Sequence, residues 1–329
     1  MAILVAGGAG YIGSHTVQEL IDAGKEVVIV DSLEYGHQGA VLAKKFYKGN
    51  IGDKEFLKKV FRENDIEAVM HFCAYIEVGE SVTNPRKYYN NNIVAGIALL
   101  DTMLEANVKR FVFSSTAAVY GQPEKVPISE DTPTLAVNPY GETKLSFEKI
   151  LKWYGEAYGM TSSVLRYFNA CGAHPNGHIG EDHSPESHLV PLILQVPLGK
   201  RASIKIFGDD YPTRDGSCVR DYIHVSDLAL AHVLAVDRLI AGKPSITCNL
   251  GNGVGFSVKE IINTAREVTG HKIPADIVAR RAGDPAELIA ESDRARRELG
   301  WKPKYHDVKT IIATAWEWHR KHPSGYGDR

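Results

Sequence analysis

The chain has 329 residues, 44% of them hydrophobic, with 38 Lys and Arg against 40 Asp and Glu and a formal net charge of −2. That is enough apolar material for one large or two modest cores. The even mix of signs leaves no basic stripe for nucleic acid and no charge run typical of a disordered tail.

Residues 2–6 form a short apolar run, the size of a buried strand. The run has no basic flank and gives way at once to glycine, so neither a signal peptide nor a membrane span is expected. Gly7-Gly8-Ala9-Gly10-Tyr11-Ile12-Gly13 follows. It satisfies G-x-G-x-x-G at Gly8, Gly10 and Gly13, and also G-x-x-G-x-x-G from Gly7. Such glycines permit a tight turn and close approach of backbone to a pyrophosphate, with the free N–H groups of the next helix aimed at it. Val17, Leu20 and Ile21 repeat at helical spacing, Gly24 closes that helix, and residues 27–30 form a second strand. Asp31 ends the strand about 20 residues past the loop, where an acid binds the adenosine ribose hydroxyls. A carboxylate there repels a ribose phosphate, so the expected cofactor is NAD, not NADP.

Further strands are expected at 46–47, 68–72, 110–114 and 162–167, and helices at 53–61, 84–106 and 139–158. Alternation of this kind predicts an α/β fold with a doubly wound parallel (Rossmann) sheet. After Phe168 the composition changes, and residues 169–187 are rich in Gly, Pro, His and Asp, as in a loop. Shorter elements follow: a helix at 189–199, strands at 203–207 and 219–225, a helix capped by Ser226, a strand at 246–250, a helix from Ser257 and a last helix at 307–321. The expected plan is a dinucleotide domain at 1–170, completed by segments within 218–250, and a smaller substrate domain at 171–329. The site lies in the cleft between them. Cys73, Cys171, Cys218 and Cys248 form no C-x-x-C pair and read as free thiols of a reducing cytoplasm without a catalytic role.

Asn138 and Pro139 suit an N-cap and a first helical residue. Tyr140 then falls in the first turn, where the helix dipole favours an anion, and Lys144 lies one turn on, on the same face. A free tyrosine titrates at about 10. A nearby ammonium lowers that value and makes the phenolate available as a base. Ser114-Ser115-Thr116 closes an apolar strand at the end that faces the ligand crevice in an open parallel sheet. Thr116 is therefore placed to bond the reacting hydroxyl. A lone Y-x-x-x-K arises by chance; behind a dinucleotide loop it reads as proton-transfer chemistry at a carbinol carbon.

Gly7-x-x-Gly10-x-x-Gly13, Ser-Ser-Thr and Tyr140-x-x-x-Lys144 together resemble the extended short-chain dehydrogenase/reductases. Gly10-Tyr11-Ile12-Gly13-Ser14-His15, Val78-Gly79-Glu80-Ser81, Leu165-Arg166-Tyr167-Phe168-Asn169 and Val219-Arg220-Asp221-Tyr222-Ile223-His224-Val225 narrow the resemblance to the UDP-sugar 4-epimerases, over nearly the whole chain. The resemblance implies interconversion of UDP-galactose and UDP-glucose through transient oxidation at sugar carbon 4, with tightly bound NAD. It implies a homodimer packed through 84–106 and 139–158. It implies Tyr140 as base, Thr116 as its hydrogen-bond partner, and Lys144 on the nicotinamide ribose. Tyr11, Ile12 and Ser114 would touch the cofactor, Asp53 the adenine, and Phe72, Asn91 and Phe168 would lie along it. Asn169, His188, Leu189, Arg220, Arg281 and Asp284 fall where the family holds the UDP-hexose. Arginine forks suit a diphosphate; pairing with Asp221 or Asp284 is the structural alternative for Arg220 and Arg281.

Three positions depart from the common pattern. Ile76 stands where a lysine beside the cofactor is usual, and His188 replaces an amide that contacts substrate. Leu288 falls where side-chain size governs room for an N-acetyl group, so weak activity on UDP-N-acetylhexosamines is one alternative; UDP-uronates are another. Dehydratases on this scaffold place an Asp-Glu pair just after the serine/threonine. Here Ala117 and Ala118 can do no proton chemistry, which favours simple epimerisation over dehydration or net oxidation. A non-catalytic dinucleotide sensor usually loses the tyrosine or the lysine, and both are present. His174, His178, His183 and His188 are loosely spaced without a carboxylate–histidine helix motif, so no metal is expected.

Overall fold

The computed structural model describes residues 1–281 and 283–328. The opening stretch folds as β1 (Ala2–Ala6), α1 (Tyr11–Asp22) and β2 (Glu26–Asp31). The later strands are β3 (Lys45–Lys48), β4 (Ile66–His71), β5 (Arg110–Thr116), β6 (Thr161–Tyr167), β7 (Asn169–Cys171), β8 (Ile204–Phe207), β9 (Val219–His224), β10 (Ile246–Leu250), β11 (Gly255–Ser257), β12 (Ala275–Val278) and β13 (Glu287–Leu288). The later helices are α2 (Lys54–Glu63), α3 (Val78–Thr83), α4 (Pro85–Tyr89), α5 (Gly96–Glu105), α6 (Pro139–Tyr158), α7 (Leu189–Leu194), α8 (Val225–Ile240), α9 (Val258–Thr269), α10 (Asp293–Leu299) and α11 (Val308–Lys321). No helix among the described residues is long and apolar enough to cross a membrane.

Among the described residues, seven strands pair in the order β10-β6-β5-β4-β1-β2-β3. Every pairing in this sheet is parallel. This is the doubly wound Rossmann order with β10 added at one edge, and the order reverses between β1 and β4, where a crevice opens at the carboxyl ends of the strands. The strand period of two splits the apolar residues between two faces. Leu4, Val28, Val69, Phe111 and Phe113 pack with Leu57, Leu99 and Phe147 of α2, α5 and α6. Ile3, Val5, Ile29, Met70, Val112 and Leu165 pack with Val17, Leu228, Val236 and Trp301 on the other side. A separate core joins β8, β9, α7, α9 and α11 through Ile206, Tyr222, Ile193, Ile261 and Ile311.

Three expected elements differ. The helix expected at 84–106 runs without a break from Pro85 to Glu105, but its start moves to Pro85 and residues 90–95, between α4 and α5, wind as a π-helical turn. Proline disfavours helical backbone in its predecessor, and Asn84 sits at φ −137° and ψ 61°, outside the helix. The helix expected at 189–199 stops at Leu194, because Pro197 has no N–H to continue it and Gly199 turns left-handed at φ 72°. Ser226 does not cap α8. The His224 imidazole does so, accepting the Ser226 N–H at 3.1 Å.

One buried polar network ties the sheet to α6. Arg166 on β6 donates to both Glu148 carboxylate oxygens and to the Tyr120 hydroxyl, which donates to Asn249 on β10. Ser115 on β5 donates to the same carboxylate. Both members of the Arg166–Glu148 pair are 9% exposed, so neither charge is screened by water. Arg166→Met leaves a carboxylate buried and unpaired, at an expected cost of about 3–5 kcal/mol. The shift of the urea unfolding midpoint measures it, and an unmoved midpoint contradicts this account.

Candidate active site

β1 delivers the chain into the glycine turn, and α1 starts at Tyr11 with Gly10 at the N-cap and no side chain capping the first turn. Two glycines are required by geometry. Gly7 sits at φ 84°, and a Cβ on it would meet the Phe72 carbonyl carbon at 2.8 Å. A Cβ on Gly13 would lie 2.0 Å from the Gly7 carbonyl oxygen. Bare backbone and uncapped N–H groups together make an anion cradle. Tyr11 turns its hydroxyl away and donates to the Gly172 carbonyl at 2.7 Å, tying the turn to the segment after β7. Ile12 packs against the Leu20 and Leu228 side of the sheet.

Asp31 is buried at the end of β2, and its carboxylate accepts the N–H groups of Ala9 and Leu33 at 2.9 Å each. A groove runs from the turn past Asp31, Ile51, Phe72, Tyr75 and Asn91. Asp53 is not brought to it. Its carboxylate caps α2 by accepting the Phe56 N–H at 3.0 Å, and Asn50 and Ile51 line the groove instead. The spacing after β3 does not separate Asn50 from Asp53, since both are polar loop residues just ahead of a helix.

The Tyr–Lys pair sits where β5 ends. Asn138 caps α6, accepting the Gly141 N–H at 2.9 Å, which sets the Tyr140 phenol beside the Thr116 hydroxyl, close enough for Thr116 to hold its titration down. The Thr116 oxygen also accepts the Ala118 N–H at 3.1 Å, which fixes its rotamer. Lys144 is 3% exposed. Its Nζ donates to the Ser114 carbonyl at 2.7 Å and lies 4.9 Å from the centre of the Phe113 ring. Burial pulls Lys144 down to about 7. The Cys73 thiol, pushed up by burial, feels both Asp31 and Lys144 and so spans the groove and the pair.

Tyr140 corrects one expectation. Burial raises its phenol above the ordinary value, and the Thr116 hydrogen bond opposes that rise. The ammonium does not outweigh burial, because Lys144 reaches toward the Ser114 carbonyl and desolvation disfavours both charged forms. Asn92, unmarked by any motif, supports the pair. It sits in the π-helical turn, 2% exposed, and bonds Tyr75 backbone groups on one side and the Thr143 hydroxyl on the other. Such turns often occur at functional sites, and no spacing rule reveals one in advance.

The substrate candidates gather around β9 and the loops beside it. Phe168 is buried just past β6. Asn169 donates to the Asp221 carbonyl at 3.0 Å. Arg220 does not pair with Asp221: it donates to the Val219 carbonyl at 2.9 Å. The Asp221 carboxylate instead accepts N–H groups from Asn252, Gly253 and Ala290. Burial raises that carboxyl to about 6 against those backbone bonds. Leu288 stands in register beside Arg220. Arg281 lies over the Phe207 ring at 4.6 Å, with Asp284 4.0 Å from its Nε. His188 precedes α7, which opens at Leu189, and its Nδ1 is 2.9 Å from Glu186. Ile76 is partly exposed beyond the groove. The four loop histidines split into two pairs, His174 with His178 and His183 with His188.

A tyrosine and a lysine one turn apart, held over the carboxyl edge of a dinucleotide-type sheet, make this a protein of the short-chain dehydrogenase/reductase class. Comparisons narrow the class. A family model described as GDP-mannose 4,6 dehydratase matches residues 4–314. The UDP-glucose 4-epimerase of Streptococcus mutans is 58% identical over 332 aligned positions, covering all of both chains. A solved UDP-glucose 4-epimerase from Brucella ovis, in complex with NAD, superposes with a TM-score of 0.94 at 44% identity, over 96% of this chain and 97% of that one. A solved UDP-glucose 4-epimerase from Bifidobacterium longum, in complex with NAD+ and UDP, gives a TM-score of 0.94 at 40% identity, over 99% of this chain and 100% of that one. The chain belongs to the UDP-glucose 4-epimerase family, within the extended short-chain dehydrogenase/reductases.

Proposed function

We infer that this protein is an NAD-dependent isomerase that interconverts UDP-galactose and UDP-glucose. The observation that carries the reading is Tyr140 beside Thr116, with Lys144 one turn on and anchored on Ser114, and Ala117 and Ala118 next in the chain where elimination needs acids. The glycine turn fits a dinucleotide, because Gly7 and Gly13 leave backbone room that a Cβ would fill. Gly7, Gly10, Tyr11, Ile12 and Gly13 hold the pyrophosphate by backbone N–H groups, and Asp31 takes the adenosine ribose. Asn50 and Ile51 border the adenine, and Phe72, Asn91, Ser114 and Phe168 border the rest. Bound there, the nicotinamide supplies a hydride acceptor and donor for carbon 4 and a positive ring charge that offsets the burial of Tyr140.

Tyr140 removes the proton of the sugar 4-hydroxyl while Thr116 holds that oxygen, and Tyr140 later returns a proton to it. Lys144, anchored on Ser114, holds the neighbouring ribose. Arg220, Arg281 and Asp284 grip the UDP, and Asn169, His188 and Leu189 border the sugar. Firm anchors on the diphosphate with few contacts on the hexose let the sugar present either face to Tyr140.

Residues 1–170 with part of 218–250 form the cofactor half, and 171–329 the UDP-sugar half. The entry of β10 into the large sheet and the separate core around β9 support this division. The working unit is a homodimer. Exposed Val82, Val94 and Trp153 on the adjoining helices, at 61%, 60% and 63%, supply an apolar face for it. Val94→Asp with Trp153→Asp is expected to shift the light-scattering mass from two chains to one, and a wild-type monomer overturns the assignment. The catalytic reading is tested by incubation with UDP-galactose. UDP-glucose is expected without accumulation of NADH; net NADH or a deoxy-keto product overturns it.

A further inference from the structure

Between β7 and α7 the chain places Glu181, His183, Glu186 and His188 within eight positions, and the fold turns them inward. One donor atom from each lies within 4.8 Å of all the others. Glu181, Glu186 and His183 are 4%, 7% and 16% exposed, so two carboxylates and one imidazole are largely shielded from water, while His188, at 38%, forms the open side. Both imidazoles present the same atom, Nδ1. His183 Nδ1 stands 3.3 Å from Glu181 Oε1 and 3.6 Å from Glu186 Oε2. His188 Nδ1 stands 3.2 Å from Glu181 Oε1 and 2.9 Å from Glu186 Oε1. A tetrahedral zinc ion with bonds of about 2.0–2.2 Å holds its donors roughly 3.3–3.6 Å apart, close to the two separations from Glu181 Oε1; the other donors, all within 4.8 Å, draw in on binding. Hydrogen bonds hold part of this box, since Glu186 Oε1 accepts the Ser187 and His188 N–H groups and faces His188 Nδ1 at 2.9 Å, and they leave one atom over. His183 Nδ1 is buried and makes no hydrogen bond of acceptable geometry, though two carboxylates face it.

We propose that Glu181, His183, Glu186 and His188 form a zinc site that pins the loop between β7 and α7. Two imidazole nitrogens and two carboxylate oxygens suit zinc, whereas magnesium and calcium prefer oxygen alone. Four protein donors leave no open position, so the ion is structural rather than catalytic. Its effect is local. The His183 ring meets the Tyr11 ring edge-on at 6.1 Å, and His188 directly precedes Leu189 at the head of α7. The ion therefore ties the dinucleotide turn to the loop bordering the sugar pocket. This revises the expectation of no metal, which rested on a histidine quartet that the fold splits apart.

The test uses untagged full-length protein, purified without chelator, and elemental analysis after desalting. About one zinc per chain is expected after incubation with zinc chloride, and none in Glu181→Gln or His183→Gln. Cobalt chloride is expected to give the intense visible absorption of a tetrahedral ion, lost in the same variants. Zinc is also expected to raise the melting temperature of wild type alone, since an ion bound only to the folded chain stabilises it. Wild-type protein that stays free of zinc, with no cobalt band, overturns the proposal whether or not the variants fold. Equal zinc in folded His183→Gln overturns it as well.

Discussion

Tyr140→Phe is expected to lower turnover of UDP-galactose by about 10³–10⁴-fold, the upper range for loss of a positioned acid–base group. UDP binding should stay unchanged. The substitution removes one oxygen and keeps the ring, so the packing at the start of α6 survives. Thr116 keeps its bond from the Ala118 N–H and has no proton partner left. Thr116→Val is expected to cost less, about 10²-fold, because water or the remaining phenol can take over part of its role. Turnover and UDP affinity measured on the same preparations separate chemistry from binding. An active Tyr140→Phe protein removes the proposed mechanism, whatever the cofactor content.

Gly13→Ala is expected to leave the protein without bound dinucleotide and without activity. The added carbon would stand 2.0 Å from the Gly7 carbonyl oxygen, which is backbone and cannot swing aside. The turn must open by more than an ångström, which spreads the N–H groups that face the pyrophosphate. Overpacking of this kind costs about 1–3 kcal/mol of stability. Gly10→Ala is the contrast, since its added carbon would meet the same oxygen at an ordinary 3.5 Å. That variant should melt like wild type. Dinucleotide content after gel filtration, with melting temperature, distinguishes the two, and full cofactor in Gly13→Ala contradicts the steric argument.

The zinc proposal and the epimerase reading stand apart in these measurements. Tyr140→Phe leaves Glu181 and His183 untouched, so it should bind zinc as wild type does. His183→Gln leaves the Thr116–Tyr140 contact intact. One reading can therefore fail without the other.

Chain-local signals carried much of the fold and part of the site. The apolar run, glycine turn and terminal Asp31 are read from spacing alone, because backbone sterics and strand period act over a few residues. Tyr140 and Lys144 share a helix face for the same reason. What lay beyond reach depends on neighbours far apart in sequence. Asn92 meets Thr143 across 51 positions, and only packing set Asn50 and Ile51, not Asp53, along the groove. The phenol of Tyr140 titrates high because the surrounding fold removes water from it. No residue pattern encodes that sum. Which of the four loop histidines meet carboxylates was likewise settled by the loop's path, since an irregular segment has no period from which to infer a shared face.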